Sequence, residues 1–290
     1  MAATTRGLQS ILVPTDFSTG AQAALERAML LPLAPKAKIT VLHVMPADIP
    51  GKLRKEAVFD GERGIEMQLA HARQIAIDRG LPPLQLVGDV VEGNTPHHVM
   101  KRANTVEADL ICIGRHGRRG VVDLFVGSTA SRVLRQSEHP LLLVRSNPTG
   151  PYERPFIAVD PSHRALTVVK AGVSLVRPNS RVTVFTATPI PYEDFVSIGN
   201  EERSTLRKRF EKEGEKALAA MLRKVPGFAY EPVARSGDAR SLVVEEAQRR
   251  GADLTVVGSH GRKTLDRLLV GSVAEWVLAH ARNDVLVIRP

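Results

Sequence analysis

The chain has 290 residues, 43% hydrophobic and 4% aromatic, with a formal net charge of +9. That is enough apolar material for two ordinary cores, while no run approaches the roughly 18 apolar residues of a membrane span and MAATTRGLQS lacks the apolar centre of a signal peptide. Nucleic acid is not the expected partner of the basic excess, because acidic residues interleave with basic ones, as in RSTLRKRFEKEGEK, and aromatics are too few to stack bases.

The first apolar run, ILVPTD, ends at Asp16 and reads as a buried parallel strand. A helix follows, with Ala21, Ala24, Leu25, Ala28 and Met29 on one stripe and Ser18 as its N-cap. A second strand is predicted at 39–45, a long charged helix at about 54–79 and a third strand near 84–90. The next helix begins after Gly93-Asn94-Thr95-Pro96, and LICIG is the fourth strand. It holds the single cysteine, Cys112, read as a core residue in a reducing cytoplasm. A glycine-bearing loop, a helix from Ser128 and the strand LLLVR complete the series.

The series then repeats. FIAVD ends at Asp160; Ala165, Val168, Val169, Gly172 and Val173 form the next stripe, with Ser162 as predicted cap. A strand at 182–188, a helix at 201–225, a strand at 229–235, a helix after Gly237-Asp238, LTVVG, a helix from Ser272 and VLVIR follow. Asp16 and Asp160, Gly93 and Gly237, and Ala108-Asp109 and Ala252-Asp253 share one offset of 144 residues. Two tandem domains, 1–147 and 152–290, are expected, joined by the Pro- and Gly-rich segment from Ser146 to Pro151. Each is an open α/β domain with a five-stranded parallel sheet flanked by helices. Ligands of such sheets sit beyond the C-terminal strand ends at the switch point, where Asp16 and Gly114, and Asp160 and Gly258, are expected to meet.

The loops after the fourth strands read GRHGRRGVVDLFVGS and GSHGRKTLDRLLVGS, with three glycines and a serine at identical spacing. Gly114 and Gly258 are expected to allow positive φ and close approach of a ligand. Gly127-Ser128 and Gly271-Ser272 open helices whose N–H groups and positive ends favour a phosphate, and Ser128 can cap its helix or bond a phosphate oxygen. Asp16 is placed to accept from a ribose hydroxyl or an adenine amino group. No P-loop lysine is present, and no G-x-G-x-x-G follows the first strand. His116 and His260 read as loop structure rather than catalytic bases, so binding is favoured over turnover. A slow ATPase or phosphotransferase, and a module for a non-nucleotide small molecule, are the alternatives. His97 and His98 point to different helix faces and make a poor metal pair. Trp276 reads as a packing residue. His43 has Thr186 as its counterpart, which argues against a chemical role shared by both halves.

In these loops (G-x2-G-x9-G-[ST]), in ILVPTDFS and in ITVLHVMP, the chain resembles tandem universal stress proteins over nearly all of both halves. The resemblance implies a Rossmann-like fold of the adenine-nucleotide alpha-hydrolase kind and a cytoplasmic stress-response regulator. It implies ATP, or AMP or ADP, with Mg²⁺ or Mn²⁺ on the phosphates. By position, the first site would use Pro14, Thr15, Asp16, Val44, Ile113, Gly114, His116, Gly117, Gly127, Ser128 and Thr129. The second would use Val159, Asp160, Ala187, Val257, Gly258, His260, Gly261, Gly271, Ser272 and Val273. The second departs from the pattern where VDPS replaces PTDFS and at Ala187, a small residue against the base. The resemblance also implies pairing of the two domains through their final strands as a pseudo-dimer, and allows a homodimer of chains.

Overall fold

A computed structural model describes residues 7–115, 128–161, 164–189, 200–259 and 271–289. They fall into two compact units, one ending at Pro151 and the other beginning at Tyr152. Among the described residues no helix is long and apolar enough to cross a membrane.

The first unit contains β1 (Leu8–Thr15), α1 (Thr19–Met29), β2 (Leu33–Met45), α2 (Gly51–Asp78), β3 (Gln85–Glu92), α3 (Thr95–Thr105), β4 (Leu110–Gly114), α4 (Ser128–Gln136) and β5 (Leu141–Val144). Its strands lie in the order β3-β2-β1-β4-β5, all parallel. Ile11, Leu12, Ile111, Cys112, Leu142 and Leu143 are wholly buried, which is why their runs are continuously apolar rather than alternating. Cys112 is a core residue, its Sγ 3.3 Å from the Ala24 carbonyl oxygen.

The second unit contains β6 (Pro155–Ala158), α5 (Ala165–Val173), β7 (Arg181–Thr188), α6 (Asn200–Leu222), β8 (Ala229–Ser236), α7 (Ala239–Arg249), β9 (Leu254–Gly258), α8 (Ser272–His280) and β10 (Asp284–Ile288). Its order, β8-β7-β6-β9-β10, is again parallel throughout. The stacked rings of Phe156 and Phe185, 5.4 Å apart, fill its centre.

Most predicted elements appear within a few residues, and the departures have local causes. β2 starts at Leu33 rather than 39, because its pairing with β1 shifts register between Leu8 and Ser10 and Lys36 adopts φ 64° there. Ser18 caps α1, accepting from the Ala21 N–H at 3.2 Å. Asn94 and Asp238 cap α3 and α7 in the same way. α5 begins only at Ala165, after Arg164, with no side-chain cap; the predicted cap Ser162 lies outside the described residues.

Two of the repeated pairs are structural. Asp109 accepts from the backbone N–H groups of Gln9 and Ser10, and Asp253 from those of Glu153 and Arg154. Each carboxylate thereby ties the start of one central strand to the start of its neighbour. Gly93 and Gly237 hold φ values of 142° and 146°, which side-chain-bearing residues rarely adopt, and their N–H groups bond the last carbonyls of β2 and β7. The predicted linker is also anchored: Pro148 and Gly150 carbonyls accept from Arg79 and Arg27.

In the second unit Glu246, 8% exposed, accepts from Arg235, Arg249 and Arg250. Burial raises the Glu246 pKa, but the surrounding guanidinium groups, Arg249 foremost, outweigh it and hold the carboxyl below its ordinary value. A depressed folded-state pKa stabilises the protein above the unfolded value, about 4.3, and that contribution is lost as pH falls through the folded pKa. Glu246→Gln is therefore expected to lower stability by about 1–2 kcal/mol at pH 7 and to make the urea midpoint of this unit less sensitive to pH below about 4.3. Parallel acid profiles in the two proteins would contradict this.

Candidate functional site

The sheet order of each unit reverses between its two central strands, which opens a crevice beyond their C-terminal ends. In the first unit Ile11 pairs with Leu110 and Leu12 with Ile111. Carried forward, this register sets Pro14 beside Ile113 and Thr15 beside Gly114. On its other side Thr15 pairs with His43, which brings Val44 level with Asp16. Pro14, Thr15 and Ile113 are buried, whereas Asp16, Val44 and Gly114 are half-buried. These six predicted residues therefore gather at one strand-end crevice.

The turn after β1 holds itself in shape. Thr15 Oγ1 accepts from the Phe17 N–H at 3.0 Å, and Asp16 Oδ1 from the Ser18 N–H at 3.1 Å. The Asp16 carboxylate thus sits just before the first turn of α1, whose positive end favours its charge. A carboxylate accepts several donors at once, so a sugar hydroxyl or an amino group can share it.

Gly114 does not have positive φ, contrary to the sequence expectation. Close packing is what demands glycine. A Cβ there would lie 2.8 Å from the Ala21 nitrogen and closer still to the Gly20 carbonyl. The end of β4 thereby presses on the first turn of α1 and sets the width of the crevice. The Arg115 N–H continues the ladder to the Val144 carbonyl at 2.9 Å. His116, Gly117 and Gly127 lie outside the described residues; α4 begins at Ser128, and Thr129 is half-buried.

The second unit repeats the arrangement. Ala158 pairs with Val257 and with Phe185, so Val159 stands beside Gly258, and Asp160 is level with Ala187. Val159 and Val257 are buried; Asp160, Ala187 and Gly258 are half-buried. Ser259, wholly buried, donates its N–H to Ile288 and accepts from the Gly271 N–H at 2.5 Å. That second bond returns the start of α8 to the end of β9. The cap of α8 is Gly271, with φ −64°, ψ 148° and no side-chain hydrogen bond. Ser272 occupies the first helical position, where the sequence places the start of this helix. A glycine cap offers the first-turn N–H groups no side chain of its own, and the N–H groups of a helix start suit a phosphate. Ser272 is exposed and Val273 half-buried. His260 and Gly261 lie outside the described residues.

Phe17 and His43 were missed as parts of the first crevice: their rings pack 4.4 Å apart beside Asp16. The PTDFS and LHV strings hold both residues but give no spacing that joins them. Trp276 packs at the surface: it is 39% exposed, stacked 3.9 Å from the His280 ring and beneath the Arg240 guanidinium. Among the described residues no group of three or more His, Cys, Asp or Glu side chains could hold a metal ion.

The sequence profile of the universal stress protein family matches residues 7–145 and again residues 151–289. The chain belongs to the universal stress protein family. A universal stress protein of Mycobacterium tuberculosis is 28% identical over 273 residues, 87% of each chain. Universal stress protein A homolog 1 of Coxiella burnetii is 31% identical over 141 residues, 47% of this chain and 96% of its own. A universal stress protein from Archaeoglobus fulgidus has the same fold, with a TM-score of 0.67 at 17% identity over 98% of this chain and 97% of that one.

Proposed function

We propose that this universal stress protein binds adenine nucleotides, ATP foremost and ADP or AMP in the same way, with one site in each domain. The supporting observation is the matched juxtaposition of Asp16 with Gly114 and of Asp160 with Gly258 at the two switch-point crevices. In this reading Asp16 and Asp160 accept from the nucleoside, and Val44 and Ala187 pack near the base. The helix starts at Ser128 and at Gly271-Ser272 receive the phosphates, with Thr129 and Val273 in the same first turns. His116, Gly117, Gly127, His260 and Gly261 belong to the loops of the same sites. A Mg²⁺ or Mn²⁺ ion would be carried on phosphate oxygens rather than in a protein cage. The proposed activity is binding, with hydrolysis incidental, and its output is a ligand-dependent effect on partners in a cytoplasmic stress response.

Native mass spectrometry of freshly purified protein tests the reading. Two adenine nucleotides per chain are expected. A chain that carries none and takes up none when ATP is added would overturn it.

A further inference from the structure

The turn bearing Asp16 is braced by β2. His43 Nδ1 lies 2.9 Å from the Thr15 carbonyl oxygen. A carbonyl only accepts, so Nδ1 carries the proton and the ring orientation is set. The Phe17 ring packs on this imidazole, the planes 31° apart. Phe17 itself has φ 62°, a conformation that persists for a bulky residue only where its surroundings hold it.

α2 is shaped to admit the two rings. A Cβ at Gly64 would fall 2.6 Å from the Phe17 Cζ, and one at Gly61 would fall 3.3 Å from the His43 Cδ2. Both glycines stand inside the helix, where glycine is disfavoured, and their absent side chains make the room. The second domain lacks this brace. Thr186 stands level with Val159, its buried Oγ1 without a hydrogen-bond partner among the described residues, and Pro161 follows Asp160.

We propose that His43 is a positioning residue of the first nucleotide site. By holding the Thr15 carbonyl and the Phe17 ring, it sets the Asp16 carboxylate in place before the ligand arrives. The first site is thereby pre-organised and binds more tightly than the second. The proposal rests on the nucleotide reading above.

ATP titration into the full chain carrying Asp160→Ala, which weakens the second site, reads the first site. His43→Ala is expected to raise the dissociation constant about tenfold, as for loss of one hydrogen bond together with its ring contact. His43→Asn keeps an N–H donor near the Nδ1 position and is expected to retain most of the affinity. When Asp16→Asn is also present, His43→Ala is expected to change affinity less than about twofold, because the residue it positions is already altered. An equal loss with and without Asp16, or no loss at all, would overturn the positioning role. Should His43→Ala melt below the assay temperature, Phe17→Leu carries the same comparison. Absence of ATP binding at the first site before any His43 change would instead defeat the nucleotide reading, and this proposal with it.

Discussion

Gly114→Val is expected to destabilise the first domain by about 3 kcal/mol, the upper part of the range for overpacking a close contact, and to remove its ATP binding. The added Cβ would meet backbone, the Gly20 carbonyl and the Ala21 nitrogen, not the yielding tip of a side chain. That backbone has little room to retreat. Ser18 caps the helix, Gln22 bonds back to the Ser18 carbonyl, and Cys112 packs on Ala24 one turn later. Relief would require β4 and α1 to part at the mouth of the crevice, where Asp16 and the glycine loop begin. Urea unfolding followed by far-UV circular dichroism measures the loss. The single tryptophan, Trp276, lies in the second domain, so its fluorescence transition serves as an internal reference. A first-domain midpoint equal to wild type would show that the contact yields.

Asp16→Ala is expected to weaken ATP binding at the first site by about 1–3 kcal/mol, or roughly 5- to 150-fold. Two losses combine. The nucleoside loses a charged acceptor, and the turn loses the bond from the Ser18 N–H to Asp16 Oδ1 that holds the chain before α1. Asp16→Asn retains an oxygen acceptor for Ser18 and is expected to lose less. Calorimetric titration of the full chain carrying Asp160→Ala reads the effect. Unchanged affinity in Asp16→Ala would mean that no ligand touches this carboxylate.

The fold was legible because the chain states it twice in the same order, once in each domain. Continuous apolar runs such as LLLVR and LTVVG mark buried parallel strands, and the stripes at Ala21–Met29 and Ala165–Val173 mark helices. What periodicity cannot carry is a bulge, so the early start of β2 at Leu33 escaped it. Juxtapositions that depend on register between strands distant in sequence were legible only in outline. Asp16 and Gly114 could be placed together from the switch-point rule, but the reason for Gly114 could not. The sequence suggested a special φ, whereas the demand comes from α1. The His43–Phe17 pair joins a strand to a turn through ring packing, for which no linear spacing exists.

The most direct measurement is a calorimetric titration of ATP into the nucleotide-free full-length chain, repeated with Asp16→Ala and Asp160→Ala combined. Two sites per chain are expected, the tighter in the first domain, with both weakened in the double variant. No saturable binding by the unaltered chain, or two sites of unchanged affinity in the double variant, would contradict a pair of nucleotide sites built on these strand-end carboxylates.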